Sequence, residues 1–275
     1  MSPNHILEEA EHGRLHLLPK SIFTPENFAA TNDRGKNILH YAAINKQIAI
    51  IPQELLTREN LTKKDNFKNT PMHSIACWGG IKDIPTGILN TEILTLPNYN
   101  GFTPLHEAAF TGKLDQIPKE FLNEDTLTIK DQDGFTPILL ATSVGQTKQI
   151  PKKLLSLKNL LEPDKEGNTT IHHAALKGQL RHLPREYITP ENLSVKNKDY
   201  ETPMDLALRG NKIPTPTEWV KILGDKNTIS TLLKGKKLPH EVKQTLHHAK
   251  ELAEYLERRR SKMNQAIQEI CRQIN

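Results

Sequence analysis

Polar and apolar positions along this chain return together every 33 residues. Taking His106 as the reference, residues of one kind stand at Leu7, His40, His73, His106, Leu139, His172 and Asp205. These copies cover roughly the first 210 residues, and a fixed period of this length predicts a solenoid in which each unit buries its apolar face on its neighbours. A second pattern takes over near the C-terminus. Val242, Leu246, Ala249, Ala253, Leu256, Met263, Ile267, Ile270 and Ile274 recur at intervals of four and three, broken at Arg260, with no proline or glycine after Pro239. That seam of about five heptads predicts a helix roughly 50 Å long.

The chemistry inside one copy makes a helix start and a helix stop. In the run from Gly101 to Gly112, Thr103 is placed as an N-cap and Pro104 sits at the first helical position, where its missing donor costs nothing. The pair returns as Thr70-Pro71, Thr136-Pro137 and Thr202-Pro203, while Asn4, Asn37 and Thr169 supply the cap where proline is missing. Ala108-Ala109, Ala42-Ala43 and Ala174-Ala175 let neighbouring helices approach closely. Gly112, like Gly13, Gly79, Gly145 and Gly178, ends the helix in a left-handed turn; Asn211 fills that slot in the last copy and Lys46 is the exception. Polar hairpins such as Asn98 to Gly101 and Asp131 to Gly134 join the copies.

Each copy but the last then carries Leu18-Pro19, Ile51-Pro52, Ile84-Pro85, Ile117-Pro118, Ile150-Pro151 or Leu183-Pro184, which predicts a short second helix beginning at the proline. Thr24 to Phe28, Thr57 to Leu61 and Thr189 to Leu193 predict one more helical turn whose last apolar residue packs inward. The seventh copy loses register: Ile213-Pro214 arrives early and Pro216 opens a different helix through Trp219 and Leu223. Asp225 to Lys234 predicts a short helix stopped by Gly235, ahead of the long seam.

The run G-F-T-P-L-H-E-A-A-F-T-G at 33-residue spacing resembles the ankyrin repeat. The resemblance implies an all-α fold: an ankyrin-repeat solenoid of about seven 33-residue repeats with short hairpin loops over residues 1–223, then a C-terminal helical region over 224–275. The Ile-Pro and Leu-Pro pairs depart from the family pattern of an uninterrupted second helix and suggest a variant form associated with bacterial repeat proteins. His40, His73, His106 and His172 lie at the family position whose imidazole bonds to neighbouring hairpin backbone. The resemblance also implies a concave partner surface, with hairpin tips at Phe67, Tyr99, Phe102 and Phe135 and inner-helix positions at Tyr41, Ile44, Trp78, Phe110, Leu140 and Val144. The chain is only 5% aromatic, so seven aromatic residues in these slots point to a binding surface. The alternative is that Phe102, Phe110 and Phe135 stack between repeats and Trp78 covers a neighbour.

Composition narrows the classes. Two distant cysteines, Cys77 and Cys271, with neither a secretory signal nor a continuous apolar run at the length of a membrane span, suggest a cytoplasmic protein, or the host cytosol for a secreted bacterial effector. Phosphate-cradling glycine motifs, H-E-x-x-H, C-x-x-C and G-x-S-x-G are missing, so no enzyme, cofactor or metal is expected. Residues 212–275 hold 13 Lys plus Arg against 7 Asp plus Glu, whereas the repeats hold 24 against 25. A protein-interaction module, as adaptor, scaffold, inhibitor or effector, is the first reading. A nucleic-acid or anionic-surface binder is the alternative, resting on Arg258, Arg259, Arg260 and Lys262 with Lys234, Lys236 and Lys237 upstream. The C-terminal seam is expected to fold back or bind a partner; a homodimeric coiled coil competes but is weakened by Ala249, Ala253 and Arg260.

Overall fold

The computed structural model describes residues 1–234 and 238–274, and in the last helix the side chains of residues 240–261, 263 and 265. Every regular element among them is helical. The chain divides into two compact units, Met1–Asn159 and Leu160–Asn275. The first carries the inner helices α1 Pro3–Glu11, α2 Ile38–Ile44, α3 Pro71–Trp78, α4 Pro104–Phe110 and α5 Pro137–Ser143, each packed on the next. The second carries α6 Thr170–Leu176, α7 Pro203–Arg209, α8 Pro216–Leu223, α9 Lys226–Leu233 and α10 His240–Ile274.

Local chemistry sets both ends of the inner helices. Thr103 Oγ1 accepts the His106 N–H at 3.4 Å, and Thr136 Oγ1 accepts the Leu139 N–H at 3.1 Å. In the first copy the cap is Ser2 rather than Asn4: Ser2 accepts the His5 N–H at 3.4 Å and Pro3 takes the first helical position. Serine followed by proline offers the same cap chemistry two residues earlier, so the helix starts there. At the C-terminal end the chain turns through left-handed backbone, at φ +69° for Gly112 and at +57° for Lys46, which lacks the freedom of glycine.

The outer layer differs from expectation. No second α-helix starts at the prolines. Instead a three-residue 3₁₀ turn precedes each Ile-Pro or Leu-Pro pair, and in most copies another follows it, as in Ile48–Ile50 and Gln53–Leu55 around Ile51-Pro52, and Leu114–Gln116 and Lys119–Phe121 around Ile117-Pro118. Proline forces the residue before it into extended backbone, which ends the first turn; Ile51 and Ile117 adopt ψ of 129° and 131°. Burial then decides the arrangement, because Ile51, Ile84, Ile117 and Ile150 all point into the core, each worth about 1.5–3 kcal/mol.

The further turns form as predicted. Thr24 caps Pro25–Ala29, Thr57 caps Arg58–Thr62, and Asn192–Ser194 forms a 3₁₀ turn; Phe28, Leu61 and Leu193 are buried. An asparagine in this segment ties it back to the outer turn. Asn27, Asn60, Asn159 and Asn192 donate from Nδ2 to the carbonyls of Ile22, Leu55, Leu154 and Tyr187 at 2.7–2.9 Å, satisfying acceptors that such short turns leave open.

One interaction links each of the four histidine-anchored copies to the hairpin ahead of it. His73 Nδ1 accepts the Thr70 N–H at 3.0 Å, which leaves Nε2 protonated to donate to the Phe102 carbonyl, 29 residues on, at 3.0 Å. His40 does the same between Asn37 and Asn69, His106 between Thr103 and Phe135, and His172 between Thr169 and Glu201. Burial pushes the imidazoles of His40, His73 and His106 down from 6.5 to about 4, so the neutral ring is the resident form. His173, next in sequence to His172, points elsewhere and meets the buried Asp164 carboxylate at 2.7 Å.

In the second unit α8, α9 and the first half of α10 pack together. Thr215 and Glu218 close a capping box at the start of α8, and Asp225 caps α9. Val242, Leu246, Ala249 and Ala253 of the seam are buried, and the enclosed Trp219 donates from Nε1 to Thr245 Oγ1 at 3.2 Å. Leu256 and Met263 are 43% and 59% exposed, so the described seam is covered only over its first turns. The side chains of Ile267, Ile270 and Ile274, and Gly235, lie outside the described residues.

Two predictions follow from these local constraints. Lys46→Gly is expected to raise stability by roughly 0.5–1 kcal/mol by relieving left-handed strain. Gly112→Ala should lower it, since the new Cβ would lie 3.1 Å from the Gln146 side chain. Denaturant midpoints check both, and equal midpoints for the three proteins would contradict them. The histidines set the second prediction. The unfolded chain binds protons on these rings near 6.5 and the folded chain only near 4, so between those values the unfolded state holds more protons. Stability therefore falls as pH falls through that window, by up to about 1.4 kcal/mol per pH unit for each ring. Urea midpoints from pH 7 to 4.5 should show this loss. His106→Leu, which repeats the residue present at Leu7 and Leu139, should lower the midpoint at pH 7 yet flatten its pH slope.

Candidate functional site

The exposed rings of the first unit divide into two groups. On the hairpin tips, Phe67 is 64% and Tyr99 53% exposed. The tips are held from within by a side-chain oxygen: Asp65 accepts the Phe67 and Asn69 N–H groups, and Asn98 those of Asn100 and Phe102, at 2.8–3.0 Å. Successive tips also bond to each other, as Tyr99 N–H donates to the Phe67 carbonyl at 3.0 Å. The Lys68 ammonium, on a residue with left-handed φ of 60°, lies 4.6 Å from the centre of the Tyr99 ring. On the inner helices, Trp78 is 47% and Phe110 54% exposed.

Other residues expected on this surface lie deeper. Tyr41 is buried, its hydroxyl accepting from Asn32 Nδ2 at 2.7 Å, and Leu140 is buried as well. Both occupy the position directly after the anchor, and both are withdrawn from the surface. Phe102 and Phe135 are half-buried; the Phe102 ring lies 4.9 Å from that of His106, and both lend their carbonyls to the histidine contacts. Ile44 and Val144 are half-buried too. Phe110 and Trp78, at the fourth and fifth positions after their anchors, are the large side chains of these two helices that open to solvent.

Sequence reasoning missed two features. Tyr200, 75% exposed on a tip of the second unit, stands in a slot where Gly35, Gly101, Gly134 and Gly167 precede it, and adopts φ of 63°. A bulky residue where the backbone calls for glycine was the available signal. Glu107, half-buried on α4, shares the slot of Tyr41 and Leu140.

The second unit holds the basic stretch. Arg258 lies 3.8 Å from Glu254, and Arg258, Arg259 and Arg260 are exposed on the part of α10 beyond its buried seam. Lys234 is exposed, whereas Lys236, Lys237 and the side chain of Lys262 lie outside the described residues. Among the described residues no helix is long and apolar enough to cross a membrane.

No family model matches the sequence, and no curated protein does either. Among solved structures the chain is similar to the ankyrin repeat domain of Bcl-3, described as a unique member of the IkappaB protein family. The TM-score is 0.50 at 20% identity, over 75% of this chain and 94% of that one. The chain has the ankyrin-repeat fold.

The division of α10 makes a mutational contrast. Leu246→Ser should cost about 2–4 kcal/mol by emptying a packed site and burying a hydroxyl. Leu256→Ser should stay within about 1 kcal/mol. Fluorescence of the buried Trp219 during denaturation reports the difference, and equal losses would place Leu256 in a contact of equal weight.

Proposed function

We propose that this chain is a protein-interaction module that binds its partner on the open side of the inner helices and the hairpin tips of the first unit. The observation that carries the reading is the exposure of Phe67, Trp78, Tyr99 and Phe110, four large rings in a chain where aromatic residues are scarce. Packing accounts for the buried Tyr41 and Leu140 but gives these four no task, and exposed rings on a rigid frame are the residues that dominate binding energy once a partner desolvates them. A role as adaptor, scaffold, inhibitor or effector, in the cytoplasm or a host cytosol, is consistent with such a module. The exposed Arg258, Arg259 and Arg260 support a second reading, attachment of α10 to nucleic acid or another anionic surface.

Replacing Trp78 and Phe110 together by alanine should weaken binding of the partner recovered from a matched lysate by at least tenfold. The melting temperature should stay within a few degrees, because both side chains are half in water already. A collapse of the melting temperature would make them core residues. Binding of duplex DNA that falls steeply with salt, and is lost on reversing the three arginines while the aromatic changes leave it intact, would favour the second reading.

A further inference from the structure

Two hairpin tips hold a bulky residue where the backbone calls for glycine. The slot is filled by Gly35, Gly101, Gly134 and Gly167, at φ from 74° to 86°, but by Lys68 at 60° and Tyr200 at 63°. A side chain in left-handed backbone costs stability, and strain of this kind gathers at positions that hold a ligand. Both exceptions take part in a lysine and tyrosine pair between exposed side chains: the Lys68 ammonium lies 4.6 Å from the centre of the Tyr99 ring, and that of Lys196 5.4 Å from the Tyr200 ring. In the first unit the pair is tied together through the backbone. Tyr99 N–H donates to the carbonyl of Phe67, the residue before Lys68. The Asp65 carboxylate of the same tip is buried, and its Oδ1 already accepts the Phe67 and Asn69 N–H groups. Among the described residues Lys68 forms no ion pair. Lys46 has left-handed backbone too, but it follows the end of an inner helix instead of forming a tip.

An exposed pair of this sort does little in the free protein, because water competes for the ammonium. The attraction grows when a partner excludes that water, and the ammonium, with one side against the ring, then needs an acceptor for its remaining donors. A carboxylate supplies both the acceptor and the counter-charge. We propose that the tip formed by Lys68 and Tyr99 receives an aspartate or glutamate side chain of the partner, which therefore presents an acidic segment to this edge of the surface. The inference rests on the reading of the tips as part of the partner surface. A nucleic-acid phosphate has related chemistry but fits less well, since the repeats hold 24 Lys plus Arg against 25 Asp plus Glu and offer no excess of positive charge for a backbone to follow.

The probe is a set of linear peptides selected from a random phage library against the full chain, measured also on Lys68→Gly, Lys68→Gln, Lys46→Gly and the Trp78→Ala/Phe110→Ala double variant. Selected peptides are expected to share an acidic position. Changing it to asparagine or glutamine should weaken binding at least tenfold to the parent chain but hardly at all to either Lys68 variant. Lys68→Gly and Lys46→Gly both relieve left-handed backbone, so both should raise the denaturation midpoint while only the first weakens binding; that contrast separates recognition from stability. Peptides that depend on Trp78 and Phe110 but show no coupling to Lys68 would overturn the inference and leave the surface reading standing. A library that yields no binders, or only binders indifferent to all these changes, would overturn both. Binding of single-stranded DNA that Lys68→Gln abolishes, with no acidic peptide selected, would put a phosphate in place of the carboxylate and overturn the inference. A Lys68→Gly midpoint below that of the parent would mean that the ring contact already offsets the strain in the free protein, which overturns it as well.

Discussion

A neutral imidazole that spans two backbone segments is the contact on which the repeated part of this chain depends. Its Nδ1 closes the cap of its own helix, and its Nε2–H reaches the hairpin that follows. One ring thus satisfies a buried donor and a buried acceptor that would otherwise each cost on the order of 1–3 kcal/mol. The caps, the tight hairpins and the small residues between inner helices all serve to bring a carbonyl to this ring. Where the anchor is not histidine the cap is satisfied differently: at Leu139 by the Thr136 hydroxyl alone, and at Asp205 by a carboxylate accepting from Thr202.

The exposed rings gain their meaning from that rigidity. Phe67 and Tyr99 sit on tips whose backbone is pinned by Asp65 and Asn98, and Trp78 and Phe110 project from helices fixed at both ends. A partner docking there would order few side chains and no backbone, so little of its contact energy would be spent on organising the surface.

Much of this was legible in the sequence because each copy repeats chemistry as well as hydrophobicity. Thr-Pro, the anchor histidine and the closing glycine fix where an inner helix starts, clamps and stops, and the proline at residue 216 marked the departure of the last copy from the pattern. What was misread depends on neighbours. Proline at 52 or 118 permits a helix to start, but whether an α-helix or a single 3₁₀ turn follows is decided by the burial of the isoleucine before it and by the asparagine bond that closes the segment behind it. The register places Tyr41, Leu140 and Glu107 in one slot, yet does not reveal that Tyr41 and Leu140 are buried there while Glu107 is only half-buried.

The outer layer has a consequence for motion. A three-residue turn holds itself with one or two backbone hydrogen bonds, whereas an inner helix opens only when several backbone bonds, its caps and the histidine contacts give way together. Amide protons should therefore exchange with solvent quickly in the outer turns and slowly in the inner helices. Along the numbering, fast and slow stretches would alternate with the spacing of the anchor residues, and the repeat that is written in residue types would be readable again as a rhythm of lifetimes.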